Sequence, residues 1–175
     1  MIDWEQIVSR HGDLVWKTAY RLLGNHADAL DCQQETFLAA VEFARRKEVH
    51  DWPALLQHLA TARAIDRLRR LKSNARRQSS RTDVSNITSC EPGPESRAEE
   101  SELVECLRQA LTTLPENQAE VYCLRFINDL SYEQIAVQMG LQTSHVGALL
   151  HRARARLRTM LVPRVTTPNQ AAPNE

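Results

Sequence analysis

The 175-residue sequence lacks several features on which common protein classes depend. Aromatic residues make up 5% of it, and none occurs between positions 53 and 121. No segment alternates apolar and polar residues as β-strands do, and no internal repeat is present. No apolar run is long enough to cross a bilayer, and Asp3 and Glu5 interrupt the start of the chain, where a signal peptide is apolar. We therefore expect a soluble, cytoplasmic, all-α protein that does not insert into membranes.

The chain also lacks the residue spacings of common metal and catalytic sites. Its four cysteines form no C-x-x-C pair and have no histidines at zinc-finger spacing. Reduced thiols, three of them half-buried on helices, are the simpler interpretation. No nucleophile–base pair and no glycine-rich phosphate loop is present. We therefore predict no enzymatic activity, no cofactor, no metal and no small-molecule substrate.

Net charge is zero, with 22 basic and 22 acidic residues, but the charges are segregated. Positions 63–81 carry eight cations and the single acid Asp66, whereas positions 83–105 carry seven acids and the single cation Arg97. The chain becomes basic again after Leu141. This pattern predicts two cationic surfaces separated by an acidic connector.

Helical periodicity predicts two groups of helices. Helices are expected over Trp4–Leu23, over 28–46 and over 54–71, with Gly24 ending the first and Asn25 or Asp28 capping the second. On the second, apolar spacing predicts that Leu30, Phe37, Val41 and Ala44 are buried. Further helices begin near position 101 and at Pro115. Between the two groups of helices, a segment rich in Ser, Thr, Pro and Gly predicts a linker. The sequence thus predicts two small helical domains, over residues 1–75 and 101–161. A flexible linker over 76–100 joins them, and a disordered tail over 162–175 follows.

The segment at positions 130–157, LSYEQIAVQMGLQTSHVGALLHRARARL, is typical of a helix-turn-helix. Ser131 with Gln134 has the spacing of a capping box, and Gly140 can end that helix in the left-handed conformation. Thr143 or Ser144 can cap a second helix, whose apolar residues recur at helical spacing at Val146, Leu150, Ala153 and Leu157. A helix, a tight turn and a cationic helix form the geometry that enters the DNA major groove.

Three motifs together resemble the extracytoplasmic-function group of bacterial sigma factors, in the sigma-70 family, over residues 8–158. They are DALDCQQETFLAA, RAIDRLRRLK, and LPENQAEVYCLRFINDLSYEQIAVQMG followed by LLHRARARLR. The resemblance implies a specificity subunit of RNA polymerase with no enzymatic activity of its own. Its partners would be core RNA polymerase, promoter DNA and an anti-sigma factor.

The resemblance implies that the acidic face of the second helix docks on the clamp coiled coil of the largest polymerase subunit. An acidic, amide-rich face suits a basic partner, although a solvated helix face has the same composition. The residues of this predicted polymerase-binding set are Asp28, Asp31, Gln34 and Glu35.

The basic helix is implied to contact the downstream (−10) promoter element and to help capture an unpaired base. Cations at this density neutralise phosphates, and the scarcity of aromatics favours one base pocket over an extended stacking platform. Asp66 is expected to pair with Arg63 or Arg70. Thr61 and Ala62 stand where relatives often have Arg-Asn. The predicted −10 set comprises Trp52, Arg63, Arg67, Arg69, Arg70 and Lys72.

The second helix of the helix-turn-helix is implied to bind the upstream (−35) element, and its domain to bind the flap of the second-largest subunit. Its first residues are placed to meet base edges or phosphates, although His145 can equally be an ordinary surface histidine. Gly147, Ala148 and Leu149 stand where relatives commonly have Lys-Ser-Arg, which predicts weaker phosphate anchoring, with Ala148 or Leu149 against a thymine methyl or uncontacted. The predicted −35 set comprises Thr143, Ser144, His145, Ala148, Arg152, Arg154 and Arg156.

Two other functional classes are possible. A helix-turn-helix regulator would bind DNA as a dimer and would not dock on polymerase. A metal or redox sensor would need a Cys and His site that the spacings do not indicate.

Overall fold

The computed structural model describes residues 2–79 and 95–165, with side chains over 2–77 and 102–161. Every regular element within these ranges is an α-helix, which confirms the predicted fold class. We refer to α1–α3 as the N-terminal unit and to α4–α7 as the C-terminal unit. The helices are α1 (Trp4–Leu23), α2 (His26–Arg46), α3 (Trp52–Ser79), α4 (Glu95–Leu111), α5 (Glu116–Phe126), α6 (Tyr132–Met139) and α7 (Thr143–Val165).

Local sequence signals account for where the helices of the N-terminal unit begin and end. The Asp3 carboxylate accepts a hydrogen bond from the Gln6 amide at 3.0 Å and caps α1. Gly24 ends α1 at φ 69°, a left-handed conformation that favours glycine. Of the two caps predicted for α2, Asn25 is the one used, since its Oδ1 accepts from the Asp28 amide at 3.0 Å.

The buried face of α2 differs from the predicted one. Leu30 is 40% exposed, and Phe37, Val41 and Ala44 are only half-buried. The residues enclosed against α1 and α3 are small ones that apolar spacing alone did not select, namely Ala29, Cys32, Thr36 and Ala40. Thr36 can be buried because its hydroxyl donates to the Cys32 carbonyl at 2.7 Å. Small side chains let the three helices approach closely. Close packing, more than the hydrophobicity of single residues, therefore determines which face of α2 is buried.

Three of the predicted segment boundaries fall inside observed helices. Helix α3 continues to Ser79 and α4 begins at Glu95, so both ends of the predicted 76–100 linker are helical. Helix α7 continues to Val165, into the predicted tail. Residues 80–94, which include Cys90, and residues 166–175 lie outside the described part of the chain.

The two units pack against each other over a shared apolar core. One core lies within the N-terminal unit, around Val15 and Leu56. Another lies around Ile135 and Val146 in the C-terminal unit and also includes Ala54 of α3. A further cluster contains residues from both units. The N-terminal unit contributes Ala19, Leu22, Leu23, Ile65 and Leu68 among others, and the C-terminal unit contributes Leu111, Leu114, Cys123 and Leu157 among others. Burying one leucine contributes about 1.5–3 kcal/mol. This interface is substantial and was absent from the prediction of two domains on a tether.

Candidate nucleic-acid and polymerase interfaces

The helix-turn-helix forms as its sequence predicts. The Ser131 hydroxyl accepts from the Gln134 amide at 3.1 Å, and the Gln134 side chain accepts from the Ser131 amide at 3.0 Å, which completes the capping box. Gly140 ends α6 at φ 65° and allows the tight turn into α7. The four apolar residues predicted for α7 are buried at 0–3% exposure, and they orient the helix: Val146, Leu150, Ala153 and Leu157.

That orientation leaves the cationic residues of α7 open to solvent. All seven residues of the predicted −35 set are exposed: Thr143, Ser144, His145, Ala148, Arg152, Arg154 and Arg156. Leu149 is 5% exposed and belongs to the core of the C-terminal unit, so it is not available to contact a thymine methyl. Gly147 is half-buried, and a Cβ added there would lie 3.8 Å from the Tyr132 ring, an ordinary van der Waals distance.

An aromatic cluster adjoins the cationic residues of α7. The Arg154 guanidinium lies 5.8 Å from the centre of the Phe126 ring, which in turn packs 4.9 Å from the Tyr122 ring. Phe126 is 48% exposed. A cation over an aromatic face is attracted to the ring, which favours this direction of the Arg154 side chain.

The acidic face of α2 is engaged by a cation of α3. Arg67 donates from Nε to Asp28 Oδ1 at 2.9 Å and from NH2 to Asp31 Oδ2 at 2.8 Å, and its NH1 lies 3.8 Å from Glu35. Partial burial alone would lower the pKa of Arg67, but its hydrogen bonds with Asp28 and Asp31 raise it above its ordinary value. Gln34 is exposed beside this cluster. The structure thus brings a residue of the predicted −10 set together with three residues of the predicted polymerase-binding set.

The other cations of the predicted −10 set divide into two groups. Arg63 is exposed, and Arg70 pairs with Asp66 at 2.6 Å, as predicted for that acid. Arg69 and Lys72 instead contact the C-terminal unit. Arg69 donates to the Leu114 carbonyl at 3.0 Å, and Lys72 donates to the Thr112 hydroxyl at 2.9 Å.

Trp52, the aromatic member of the predicted −10 set, is half-buried at the start of α3. Its ring packs edge-on against Trp4, with ring centres 5.4 Å apart. This contact leaves part of the indole exposed and fixes its orientation, which suits a single stacking position rather than an extended platform.

A polar contact between the units was not predicted from the sequence. Asn128, 7% exposed, follows α5 and is enclosed between α1 and α3. Its Nδ2 donates to the Thr61 hydroxyl at 2.8 Å, and its Oδ1 accepts from the Thr18 hydroxyl at 3.3 Å. Nearby, His58 Nε2 lies 3.7 Å from Glu120 Oε2. One sequence signal pointed to this contact. Relatives often have Arg-Asn where this chain has Thr61 and Ala62, and the small polar Thr61 lies on a helix face that is buried in the structure.

The buried thiols do not form a reactive site. Burial raises the pKa of Cys32 to about 11 and also raises the pKa of Cys123, so both are protonated near neutral pH. No group of histidine, cysteine and carboxylate side chains suited to a metal ion occurs in the described ranges. Among the helices described, none is long and apolar enough to cross a membrane.

Comparisons with known families match the two units separately and in order. Residues 7–74 match Sigma-70 region 2, and residues 104–157 match Sigma-70 region 4. The chain is 31% identical over 172 residues to the ECF RNA polymerase sigma factor SigE of Mycolicibacterium smegmatis, covering 98% of this chain and 66% of that relative's length. It is 30% identical over 168 residues to the RNA polymerase sigma-E factor of Streptomyces coelicolor, covering 94% of this chain and 89% of that relative.

Two solved structures have a similar fold. One is the sigma factor RpoE in complex with the anti-sigma factor NepR from Bartonella quintana, with a TM-score of 0.56 at 20% identity, covering 94% of this chain and 99% of that one. The other is CnrH in complex with the cytosolic domain of CnrY, with a TM-score of 0.56 at 21% identity, covering 94% and 89%. At these identities the likeness concerns the fold alone.

Proposed function

Because this chain belongs to the extracytoplasmic-function group of sigma-70 factors, we propose that it binds core RNA polymerase in the cytoplasm, directs it to particular promoters and helps to open them. One observation carries the proposal. Regions 2 and 4 occur in order on one chain, and each presents a surface whose chemistry suits its role. The proposal assigns no bond-making step to the chain itself, which acts by binding.

The acidic face of α2 is the proposed docking surface for polymerase. The side chains of Asp31 and Glu35 are 59% and 48% exposed although both lie near Arg67. Arg67 orients Asp31 through a hydrogen bond and lies near Glu35, while both carboxylate side chains stay largely accessible. An ordered acidic surface gives fast encounter and a defined register with a basic partner helix.

The α3 helix is the proposed contact for the downstream element. Arg63 and Arg70 are exposed and can neutralise phosphates, and the partly exposed Trp52 ring can stack on one base. Melting a duplex requires a surface that prefers single strands, and one stacking position beside a cationic helix provides such a preference.

The α7 helix is the proposed contact for the upstream element. Its first residues, Thr143, Ser144 and His145, are exposed where a recognition helix meets base edges. Arg152 and Arg156, four residues apart, follow along the same exposed side, whereas Arg154 projects from another side, over the Phe126 ring. These arginines would hold phosphates and set the register. The sigma factor RpoE is in complex with the anti-sigma factor NepR in its solved structure, and we propose an anti-sigma partner for this chain as well.

The test is transcription by reconstituted holoenzyme. Core polymerase with this protein is incubated with fragmented genomic DNA from the source organism, and the 5′ ends of the transcripts are sequenced. We expect starts that depend on the added protein and share two upstream elements. Association of the protein with DNA but not with core polymerase would instead favour the dimeric regulator.

A matched pair of variants tests the docking surface. Glu35→Lys reverses a charge within the predicted polymerase-binding set, whereas Glu42→Lys reverses one on an exposed residue two turns further along α2, beyond that set. We expect Glu35→Lys to weaken binding to core polymerase about tenfold or more, in line with the cost of placing like charges across an interface. Glu42→Lys is expected to bind as the parent does, and equal losses in both variants would remove the assignment.

A further inference from the structure

A cleft of about 510 Å³ lies between the end of α3 and the connection from α4 to α5. One wall is cationic, because Arg69, Lys72 and Arg76 recur at helical spacing and lie on the same side of α3. Thr112 and Thr113 belong to the opposite wall. None of the described residues that line the cleft is acidic. A cleft with this lining attracts anions.

The positive charges of this wall are not neutralised by acidic side chains. Arg69 donates to the Leu114 carbonyl. Lys72 donates to the Thr112 hydroxyl, and Arg76 is exposed. Among the residues that the structure describes, no carboxylate forms an ion pair with any of these three cations. Neutral acceptors orient a cation but leave its charge in place, so an anion in the cleft would meet three uncompensated positive charges.

The spacing of these cations suits an anion with several linked phosphates. Arg69 and Arg76 are seven residues apart, which is about 10 Å along a helix at about 1.5 Å per residue. A chain of two or three phosphates matches this length better than a single phosphate group does. Arginine and lysine also form strong, charge-assisted hydrogen bonds with phosphate oxygens.

A second cleft, of about 780 Å³, adjoins the cationic one and shares Lys72 and Arg76 with it. Its lining includes apolar surface from Leu23, Leu68 and Leu71. Leu71 is 46% exposed, so part of this surface is open to a ligand. Both volumes fall within the range of small-molecule sites, about 300–1,000 Å³. A ligand that fills both clefts has an anionic end and an apolar end.

Polar side chains also line the second cleft. Gln109 Nε2 donates to Glu105 Oε1 at 3.4 Å, and Glu105 Oε2 lies 3.6 Å from Arg108 NH1. The side chain of Glu105 is 57% exposed, so its oxygens can accept further hydrogen bonds. An acidic side chain that accepts from a ribose hydroxyl is a common element of nucleotide sites. The second cleft thus combines apolar surface for a base with a carboxylate for a ribose.

We propose that the two clefts form one binding site for a purine nucleoside triphosphate. Its phosphates contact Arg69, Lys72 and Arg76, and its base packs against Leu68 and Leu71. The inference goes beyond the proposed function, because it adds a small-molecule ligand to a chain whose proposed partners are macromolecules.

Isothermal titration calorimetry of the full-length chain, at about 0.15 M salt and without magnesium, tests the site. The titrants are ATP, GTP, their nucleosides and inorganic tripolyphosphate. We expect one site per chain that binds ATP or GTP at least about tenfold more tightly than tripolyphosphate, because only the nucleotide places a base on apolar surface. The nucleosides, which lack phosphates, should show no measurable binding. Equal affinities for nucleotide and tripolyphosphate would overturn the nucleotide assignment, and binding of neither would overturn the site.

One pair of variants tests the cationic cleft. Arg76→Ala removes a cation that lines both clefts, whereas Arg46→Ala makes the same charge change at an exposed residue at the end of α2. We expect Arg76→Ala to weaken binding of the nucleotide and of tripolyphosphate about fivefold, and Arg46→Ala to bind as the parent does. Equal losses in the two variants would show that binding follows net charge alone, which would overturn the site.

A second pair of variants tests the apolar cleft. Leu71→Gln alters its lining, and Leu103→Gln makes the same change at a residue of α4 that is 52% exposed. Leu71→Gln should weaken nucleotide binding about threefold and leave tripolyphosphate binding unchanged. Equal effects at the two positions would overturn the placement of the base. Circular dichroism checks that all four variants fold. None of these measurements uses DNA or polymerase, so their failure and that of the proposed function are distinguishable.

Discussion

The basic half of α3 and the exposed face of α7 are similar in sequence and different in the folded protein. Both are arginine-rich helical stretches predicted to contact promoter DNA. On α7 every predicted residue is exposed to solvent. On α3, Arg67 is paired with the acids of α2, while Arg69 and Lys72 contact the C-terminal unit. A cluster of cations in a sequence therefore indicates a capacity to bind polyanions, and tertiary packing decides which of those cations are available.

The largest effect is expected from a substitution on the buried side of α3, which should lower the stability of the protein. Thr61→Val keeps the shape of the side chain but leaves the Asn128 Nδ2 without its acceptor in a buried position. We expect the free energy of unfolding, measured in urea, to fall by about 1–3 kcal/mol. The same change at Thr159 on α7, an exposed residue, should cost within about 0.5 kcal/mol. Similar values at the two positions would mean that the contact between the units contributes little.

A smaller effect separates the cations of the two helices. Arg156→Ala on α7 removes an exposed cation, and for a 30-base-pair duplex it should flatten the dependence of log K on log salt by about 0.9. Arg69→Ala should change that slope by less, because the Leu114 carbonyl already occupies its guanidinium. The measurement is anisotropy of a labelled duplex with the full-length chain. Equal changes in slope would show that Arg69 is as available as Arg156.

The smallest effect on stability and DNA binding is expected at Gly147 of α7, where relatives commonly have a lysine. Gly147→Ala should stabilise the protein by up to about 1 kcal/mol through helix propensity, with no change in the salt dependence of DNA binding. Gly147→Lys should give a similar gain in stability, bind duplex DNA more tightly and steepen the slope by up to about 0.9. If the lysine and alanine variants bind alike, position 147 does not face the phosphates.

Local structure could be predicted where one residue decides the outcome. The capping box at Ser131 and Gln134, the helix end at Gly24, the left-handed end at Gly140, and the buried face of α7 were all predicted from short-range patterns. These features depend on backbone hydrogen bonds and helical spacing within a few residues, which a sequence specifies directly.

Predictions from the sequence were weakest where packing against a neighbouring helix decides which residues are buried. The buried face of α2 was predicted from its large apolar residues, yet α1 and α3 approach closely enough to enclose Ala29, Cys32, Thr36 and Ala40. Leu149, predicted either to meet a thymine methyl or to stay uncontacted, is buried against α5 and α6. Hydrophobicity ranks residues by transfer free energy, whereas burial depends on the shape of the opposing surface.

The sequence by itself determined the all-helical class, the helix-turn-helix and the two cationic stretches, because periodicity, capping and charge are properties of neighbouring residues. Only the tertiary structure decided that the two units share a core, that Asn128 is enclosed between Thr18 and Thr61, and that Arg69 and Lys72 are covered. Those contacts join residues more than 39 positions apart, as the separations of 110, 67, 45 and 40 show. No local pattern encodes such pairings, since they arise from the complementary shapes of surfaces that exist only after the helices have formed.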